Sequence, residues 1–201
     1  MKVTLIDYGA GNVPSVERAL QRLGVEPQRT DSADGIARAQ ALLLPGVGHY
    51  GALVRALEGK NIRAALVEAI QRGVPFLGIC LGLQLLFKSS EEAPQLRGLN
   101  LLPGGVCSLP STVKLPHMGW NQVVLQKESR LLEGIPADAY FYFAHSFAVL
   151  ASEDLPSATC TYGSEFAAVI EHKNIFAVQF HPEKSGPDGA RVLENFLRIA
   201  A

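Results

Sequence analysis

VPFLGICLGLQLLF (residues 74–87) runs from an unbroken apolar stretch, through a cysteine with glycine two positions to either side, into a second apolar stretch of different spacing. VPFLGI (74–79) is apolar at every position, the pattern of a strand buried on both faces of a parallel sheet. LGLQLLF (81–87) has the apolar spacing of a helix. A residue between such a strand and helix sits on a sharp turn, and Gly78 and Gly82 let neighbouring backbone pack close to it. The Cys80 thiol is then presented rather than sealed in. Unpaired N–H groups at the start of the following helix favour thiolate and can hold an oxyanion. A cysteine in an apolar run is ordinarily a small core residue. The flanking glycines and the strand-helix junction argue for chemistry here.

The same strand-loop-helix unit occurs twice upstream. KVTLI (2–6) reads as a buried strand entering a turn at Asp7, Gly9 and Gly11. A helix follows, with Val13, Val16, Leu20 and Leu23 on one stripe, Asn12 as cap, Pro14 in the first turn and Gly24 as stop. ALLLP (41–45) is a strand before a glycine-rich loop, and Ile62, Leu66, Ala69 and Ile70 mark a helix capped by Asn61 and closed by Gly73. All-apolar strands alternating with helices imply an α/β fold with helices on both faces of the sheet.

After Pro94 the texture changes to short apolar segments at 101–109, 122–126, 139–144, 157–162 and 166–171, which read as mostly antiparallel strands. Lys173-Asn174 separates AAVIEH from IFAVQF as a tight hairpin, and a last helix from Pro187 to about Ile199 carries Val192, Phe196 and Ile199 on one stripe. The expectation is one domain, residues 1–201, with a mixed, largely parallel central sheet.

Composition limits the function. With 201 residues, 48% of them hydrophobic and 18% charged, the chain can bury a sizeable core. Eighteen basic against nineteen acidic residues, a net charge of −1, leave no electrostatic footprint for nucleic acid or an anionic membrane. The first residues lack the apolar core of a secretory signal, and no stretch reaches the roughly 20 apolar residues of a membrane span. A soluble, cytoplasmic protein is expected. Cys80, Cys107 and Cys160 are far apart with no Cys-x-x-Cys pair, so neither disulfide nor structural metal is expected, and Cys107 and Cys160 are assigned to packing.

A cysteine nucleophile needs a base. His181 ends the apolar run IFAVQF in His181-Pro182-Glu183, and residues two apart in an extended chain share a face, so Glu183 can reach the imidazole. Proline keeps its predecessor out of the helical region, which predicts that the pair stays extended. A carboxylate on one ring nitrogen fixes the tautomer that frees the other as base. His-Pro-Glu alone is ordinarily a surface turn, and no third ligand supports a metal. Cys80, His181 and Glu183 together make a triad. Ser146, the rival nucleophile in Ala144-His145-Ser146-Phe147, lacks flanking glycines and suits a substrate contact better. Pro45-Gly46-Val47-Gly48-His49 follows a strand, where ligands bind in open α/β sheets, and its backbone N–H groups could meet an oxyanion. Neither it nor DYGAGN fits a Walker loop or a dinucleotide fingerprint.

PGVG, GICLGLQLLF and FHPE, in this order and spacing, resemble the class I, or triad, glutamine amidotransferases, a flavodoxin-like three-layer fold. DYGAGN (7–12), PGVGHYG (45–51), SEEAP (90–94), LPHMGWN (115–121), YFAHSF (142–147) and FHPEKSG (180–186) narrow the resemblance to the glutaminase subunits of imidazole glycerol phosphate synthase, in histidine biosynthesis. The likeness spans essentially the whole chain. It implies glutamine hydrolysis without a cofactor, with ammonia channelled to a (β/α)₈-barrel cyclase in a heterodimer. It further implies that backbone at Val47, Gly48 and Leu81 holds the oxyanion, that Gly46, Gln84, Glu92, His145 and Ser146 meet glutamine, and that Asn12, Trp120, Tyr142 and Lys184 lie at the cyclase interface. Phe147 stands where the family often has Tyr. A switch is expected in which the 46–48 peptide turns to complete the oxyanion hole only in the complex. The same chemistry serving another acceptor, a stand-alone cysteine hydrolase and a non-catalytic regulatory subunit are the competing readings.

Overall fold

The buried tetrapeptide Val3–Ile6 forms β1, and the alternation of its side chains decides how the layers stack. The computed structural model describes residues 2–9, 12–151 and 155–201; Gly11 of the expected first turn lies outside them. After β1 come α1 (Val13–Arg22), β2 (Gln28–Thr30), α2 (Ala33–Ala37), β3 (Ala41–Gly46), α3 (Tyr50–Gly59), α4 (Arg63–Gln71), β4 (Phe76–Cys80) and α5 (Leu81–Gln84). The second half holds β5 (Cys107–Ser108), β6 (His117–Gln122), β7 (Val124–Leu125), β8 (Tyr140–His145), β9 (Phe147–Ala148), β10 (Pro156–Tyr162), β11 (Ser164–His172), β12 (Ile175–Val178), a 3₁₀ turn (Pro182–Lys184) and α6 (Gly186–Ile199).

An eight-stranded sheet runs in the order β2-β1-β3-β4-β12-β11-β10-β7. The first five pair in parallel and the rest antiparallel, giving the expected mixed, largely parallel sheet. Val3, Leu5, Leu77 and Ile79 face one core with Val16 and Leu20 of α1 and Val192 and Phe196 of α6. Ile6, Leu42, Leu44 and Phe76 face the other with Leu53 and Leu57 of α3 and Leu66 and Ile70 of α4. Burial of that many Val, Leu, Ile and Phe side chains, each worth about 1.5–3 kcal/mol against exposure, holds the three layers together. The hairpin forms as predicted, with Lys173 at φ 56° and His172 in register with Ile175.

Several local expectations are corrected. Among the described residues Asn12 makes no side-chain cap to α1; its amide is engaged elsewhere. Asn61 is not the cap of α4 but a left-handed residue (φ 55°) before the capping position, Ile62. The helix expected over 81–87 keeps one α turn: beyond it Leu86 and Phe87 N–H donate to Leu83 O and Gln84 O, three residues back, and the Leu85 and Leu86 carbonyls accept from Leu99 (2.7 Å), Leu101 and Leu102 N–H instead of extending the helix. Segment 101–109 is mostly this docking strip, and only Cys107–Ser108 pairs as a strand, with Phe147–Ala148. Cys160 is in the core, Cys107 is half-buried on β5, and no disulfide joins the three cysteines.

Candidate active site

Cys80 ends β4 with φ 55° and ψ −106°, a conformation that costs an L-residue on the order of 1–3 kcal/mol and persists only where the surroundings impose it. They do so by close approach. A Cβ on Gly78 would stand 2.5 Å from Gly82 O, and one on Gly82 2.1 Å from Leu44 O. Gly46 lies buried under the elbow, where a Cβ would meet that of Leu81 at 2.5 Å.

Parallel pairing of β4 with β12 brings the two halves of the site to one edge. Val178 is in register with Ile79, so the chain leaves the sheet with Gln179 beside Cys80 and His181 just beyond. His181 N–H donates to Tyr142 O (2.8 Å), tying the segment to β8. His181 Nδ1–H donates to Glu183 Oε1 at 2.8 Å, since an ionised carboxylate only accepts. Nε2 is left for the Cys80 side chain, which shares the cavity wall with the ring. Glu183 Oε1 also accepts from Asn12 Nδ2 at 2.7 Å, while its Oε2 has no partner among the described residues.

The His-Pro-Glu segment is not extended throughout. Only His181 is (φ −101°, ψ 95°), and Pro182–Lys184 winds into the 3₁₀ turn. Proline's fixed φ suits the first position of such a turn as well as a strand. Lys184 N–H and Ser185 Oγ both donate to His181 O (3.0 and 2.7 Å), closing it.

Burial works against charge on the His181 ring, but the hydrogen bonds and attraction of Cys80 and Glu183 outweigh it and raise the imidazole to about 10. Burial likewise opposes charge on Glu183, yet His181 and Asn12 hold its carboxyl below its ordinary value. The site therefore favours imidazolium at His181 and carboxylate at Glu183.

Cys80 and His181 share a cavity of about 250 Å³ with Val47, Gly48, Leu81, Gln84, Glu92, His145, Ser146 and Lys184. Gly46 is not in its lining. Gly48, at φ 92°, has open space where a Cβ would be. Glu92 spends Oε2 on Tyr50 N–H at the start of α3 (2.7 Å). The His145 ring turns away, its Nδ1–H donating to Phe147 O (2.9 Å) and its Nε2 accepting from His117 (3.2 Å). Burial first, then the His117 and His181 charges, push His145 down to about 3. Trp120, 55% exposed, meets Tyr142 edge-on at 6.1 Å, and Lys184 Nζ lies 5.6 Å from the centre of the Tyr142 ring. These three form one patch, which Lys184 joins to the cavity. Asn12, expected at the same interface, gives its amide to Glu183.

A profile of the class-I glutamine amidotransferase family matches residues 4–200. The chain belongs to that family. This amidotransferase is 49% identical over 96% of its length to the imidazole glycerol phosphate synthase subunit HisH of Moorella thermoacetica, covering 93% of that relative. The HisH subunit of Methanothermobacter thermautotrophicus is 47% identical, with 98% of each chain covered, and that of Aquifex aeolicus 46%, with 100% of this chain and 98% of the relative covered. A solved glutamine amidotransferase superposes with a TM-score of 0.78 at 19% identity over 98% of each chain. A chain of PurLQS from Thermotoga maritima gives 0.77 at 22% identity, over 100% of this chain and 99% of the other. At such identity these structures speak for the amidotransferase fold alone. Among the described residues, no helix of the amidotransferase is long and apolar enough to cross a membrane.

Two participants escaped the sequence reading: Gln179, which faces the sulfur, and the Phe147 carbonyl, which receives both Gln84 and His145. Gln179 left one signal, a lone amide inside the apolar run IFAVQF.

Proposed function

We infer that this amidotransferase is the glutaminase subunit of an imidazole glycerol phosphate synthase. It hydrolyses glutamine and passes ammonia to a (β/α)₈-barrel cyclase in a cytoplasmic heterodimer, with residues 1–201 acting as one domain. The observation that carries the chemistry is that Cys80 and His181 line one cavity while Glu183 holds Nδ1 of the His181 ring from behind. The synthase assignment rests on relatives 46–49% identical over nearly the full chain.

The Cys80 thiol passes its proton to His181 Nε2, and the thiolate attacks the glutamine carboxamide carbon. The oxyanion is held by Leu81 N–H and by N–H groups of the Val47-Gly48 segment, each such donor worth roughly 3–4 kcal/mol in rate. Imidazolium then protonates the leaving ammonia, and neutral His181 activates water against the glutamyl thioester while Glu183 keeps the ring in one tautomer. Gln84, Glu92 and the His145-Ser146 backbone orient glutamine. No cofactor takes part.

Ammonia released into water is wasted, so hydrolysis is tied to the partner. Trp120, Tyr142 and Lys184, the patch that Lys184 joins to the cavity, are the docking face. Gly48, in a conformation open to glycine, lets the 46–48 peptide turn when the partner docks, completing the oxyanion hole. The barrel cyclase should co-purify with the chain, and glutaminase turnover should rise at least tenfold when the cyclase carries its substrate. Equal turnover with and without the cyclase contradicts the reading.

A further inference from the structure

Gln179 is completely buried, an amide where a methionine would fill the same space without the cost of burying polar atoms. Its Nε2 is 3.5 Å from Cys80 Sγ, and its Oε1 accepts from Gln84 Nε2 at 3.1 Å. The orientation follows from its neighbours. Gln84 Nε2 also donates to Phe147 O at 2.8 Å, and a carbonyl only accepts, so the atom Gln84 turns to Gln179 is its NH₂. Gln179 must answer with its oxygen, which leaves its own NH₂ for the sulfur. The Phe147 carbonyl is itself fixed by His145 Nδ1–H at 2.9 Å, and His145 by His117 at 3.2 Å, a ring stacked 4.0 Å from Tyr162 and 4.9 Å from Phe143. The Phe147 carbonyl thus accepts from His145 on one side and Gln84 on the other, and from Gln84 the donors point through Gln179 to the sulfur.

We propose that Gln179 is a positioning residue of the glutaminase reaction, donating to the Cys80 sulfur so that the thiolate is formed and aimed before attack. This rests on Cys80 being the nucleophile. A donor beside sulfur strengthens as negative charge develops there and weakens once the thioester forms, so it favours the attacking state. The groups facing the sulfur that titrate are His181, with Glu183 behind it, and Tyr8 beyond the end of β1. Glu92, His145 and Lys184 share the cavity. The test leaves all of them in place.

Gln179→Met keeps volume and removes the donor; Gln179→Asn keeps an amide but withdraws it by one methylene. Each is assembled with the synthase partner, and carbamidomethylation of Cys80 by iodoacetamide is followed against pH by peptide mass spectrometry, beside glutaminase kinetics and thermal melting. The pH midpoint of alkylation should rise by about one unit, roughly a tenfold loss of thiolate below the midpoint, and kcat should fall by about tenfold with KM little changed. An unshifted midpoint in a variant that melts like wild type overturns the proposal, and so does failure of both variants to fold, which would make Gln179 a residue of the fold alone. Wild-type Cys80 that resists a glutamine-analogue chloroketone would sink the nucleophile reading itself. Normal wild-type labelling with unshifted variants sinks only the role of Gln179.

Discussion

Asn12 and Glu183, 171 positions apart in the chain, are joined by a 2.7 Å hydrogen bond from Asn12 Nδ2 to Glu183 Oε1, the oxygen that also accepts from His181. Glu183 Oε2 has no partner among the described residues, so the carboxylate is oriented through one oxygen by two donors. Only one of those donors, Asn12, lies outside the His-Pro-Glu segment.

Asn12→Ala should therefore loosen the carboxylate that holds the His181 tautomer. Losing one charge-assisted hydrogen bond of this kind is worth on the order of 1 kcal/mol, about fivefold in rate. Glutaminase kcat in the assembled synthase should fall by about that factor with KM unchanged. Synthesis from added ammonium should be untouched, because the triad is not used on that route. Steady-state assays with the two nitrogen sources check both statements.

Acid should unfold the protein partly through His117 and His145. Burial lowers His117 to about 4, and burial with its charged neighbours lowers His145 to about 3, against an ordinary value near 6.5. The folded state binds fewer protons than the unfolded chain, so this stability is fully present above pH about 6.5. It is lost as pH falls toward 4 and 3, by at most about 1.4 kcal/mol per pH unit for each ring. His181 has the opposite sign: raised to about 10, its contribution is complete below pH about 6.5 and fades as pH climbs toward its folded value. Melting temperature should drop from pH 6.5 to 4, and His117→Phe, which fits between Phe143 and Tyr162, should flatten the drop.

The tight elbow sets a third expectation. Gly82→Ala would drive a Cβ to 2.1 Å from the Leu44 carbonyl, in backbone with no flexible side chain to yield. A loss of about 1–3 kcal/mol is expected for such overpacking, read as an earlier urea midpoint. Gly24→Ala, with open space around the new carbon, should cost only its positive φ of 77°.

What the sequence disclosed and what it hid divide along physical lines. The largely apolar strands at 2–6, 41–45 and 74–79, the Lys173-Asn174 hairpin and the last helix were legible because burial on both faces and turn chemistry leave local marks. α3 was missed because Gly51 and Gly59 weaken its pattern, and part of its start is capped from 42 residues away by Glu92. The helix after Cys80 stops short of its apolar pattern, since Leu86 and Phe87 N–H turn to carbonyls three residues back and the Leu85 and Leu86 carbonyls go to residues 99–102, a docking no local window contains. Cys80, His181 and Glu183 were legible from elbow glycines and the His-Pro-Glu spacing. Asn12 reads as a helix cap, since its bond to Glu183 depends on β4 and β12 lying side by side. Gln179 owes its place beside the sulfur to the same pairing.

The central claim is that Cys80 frees ammonia for a reaction performed elsewhere. Its most direct test is Cys80→Ser assembled with the cyclase and assayed for imidazole glycerol phosphate from glutamine and, separately, from ammonium. Product from glutamine should vanish while product from ammonium continues at the wild-type rate. Undiminished synthesis from glutamine would contradict the account.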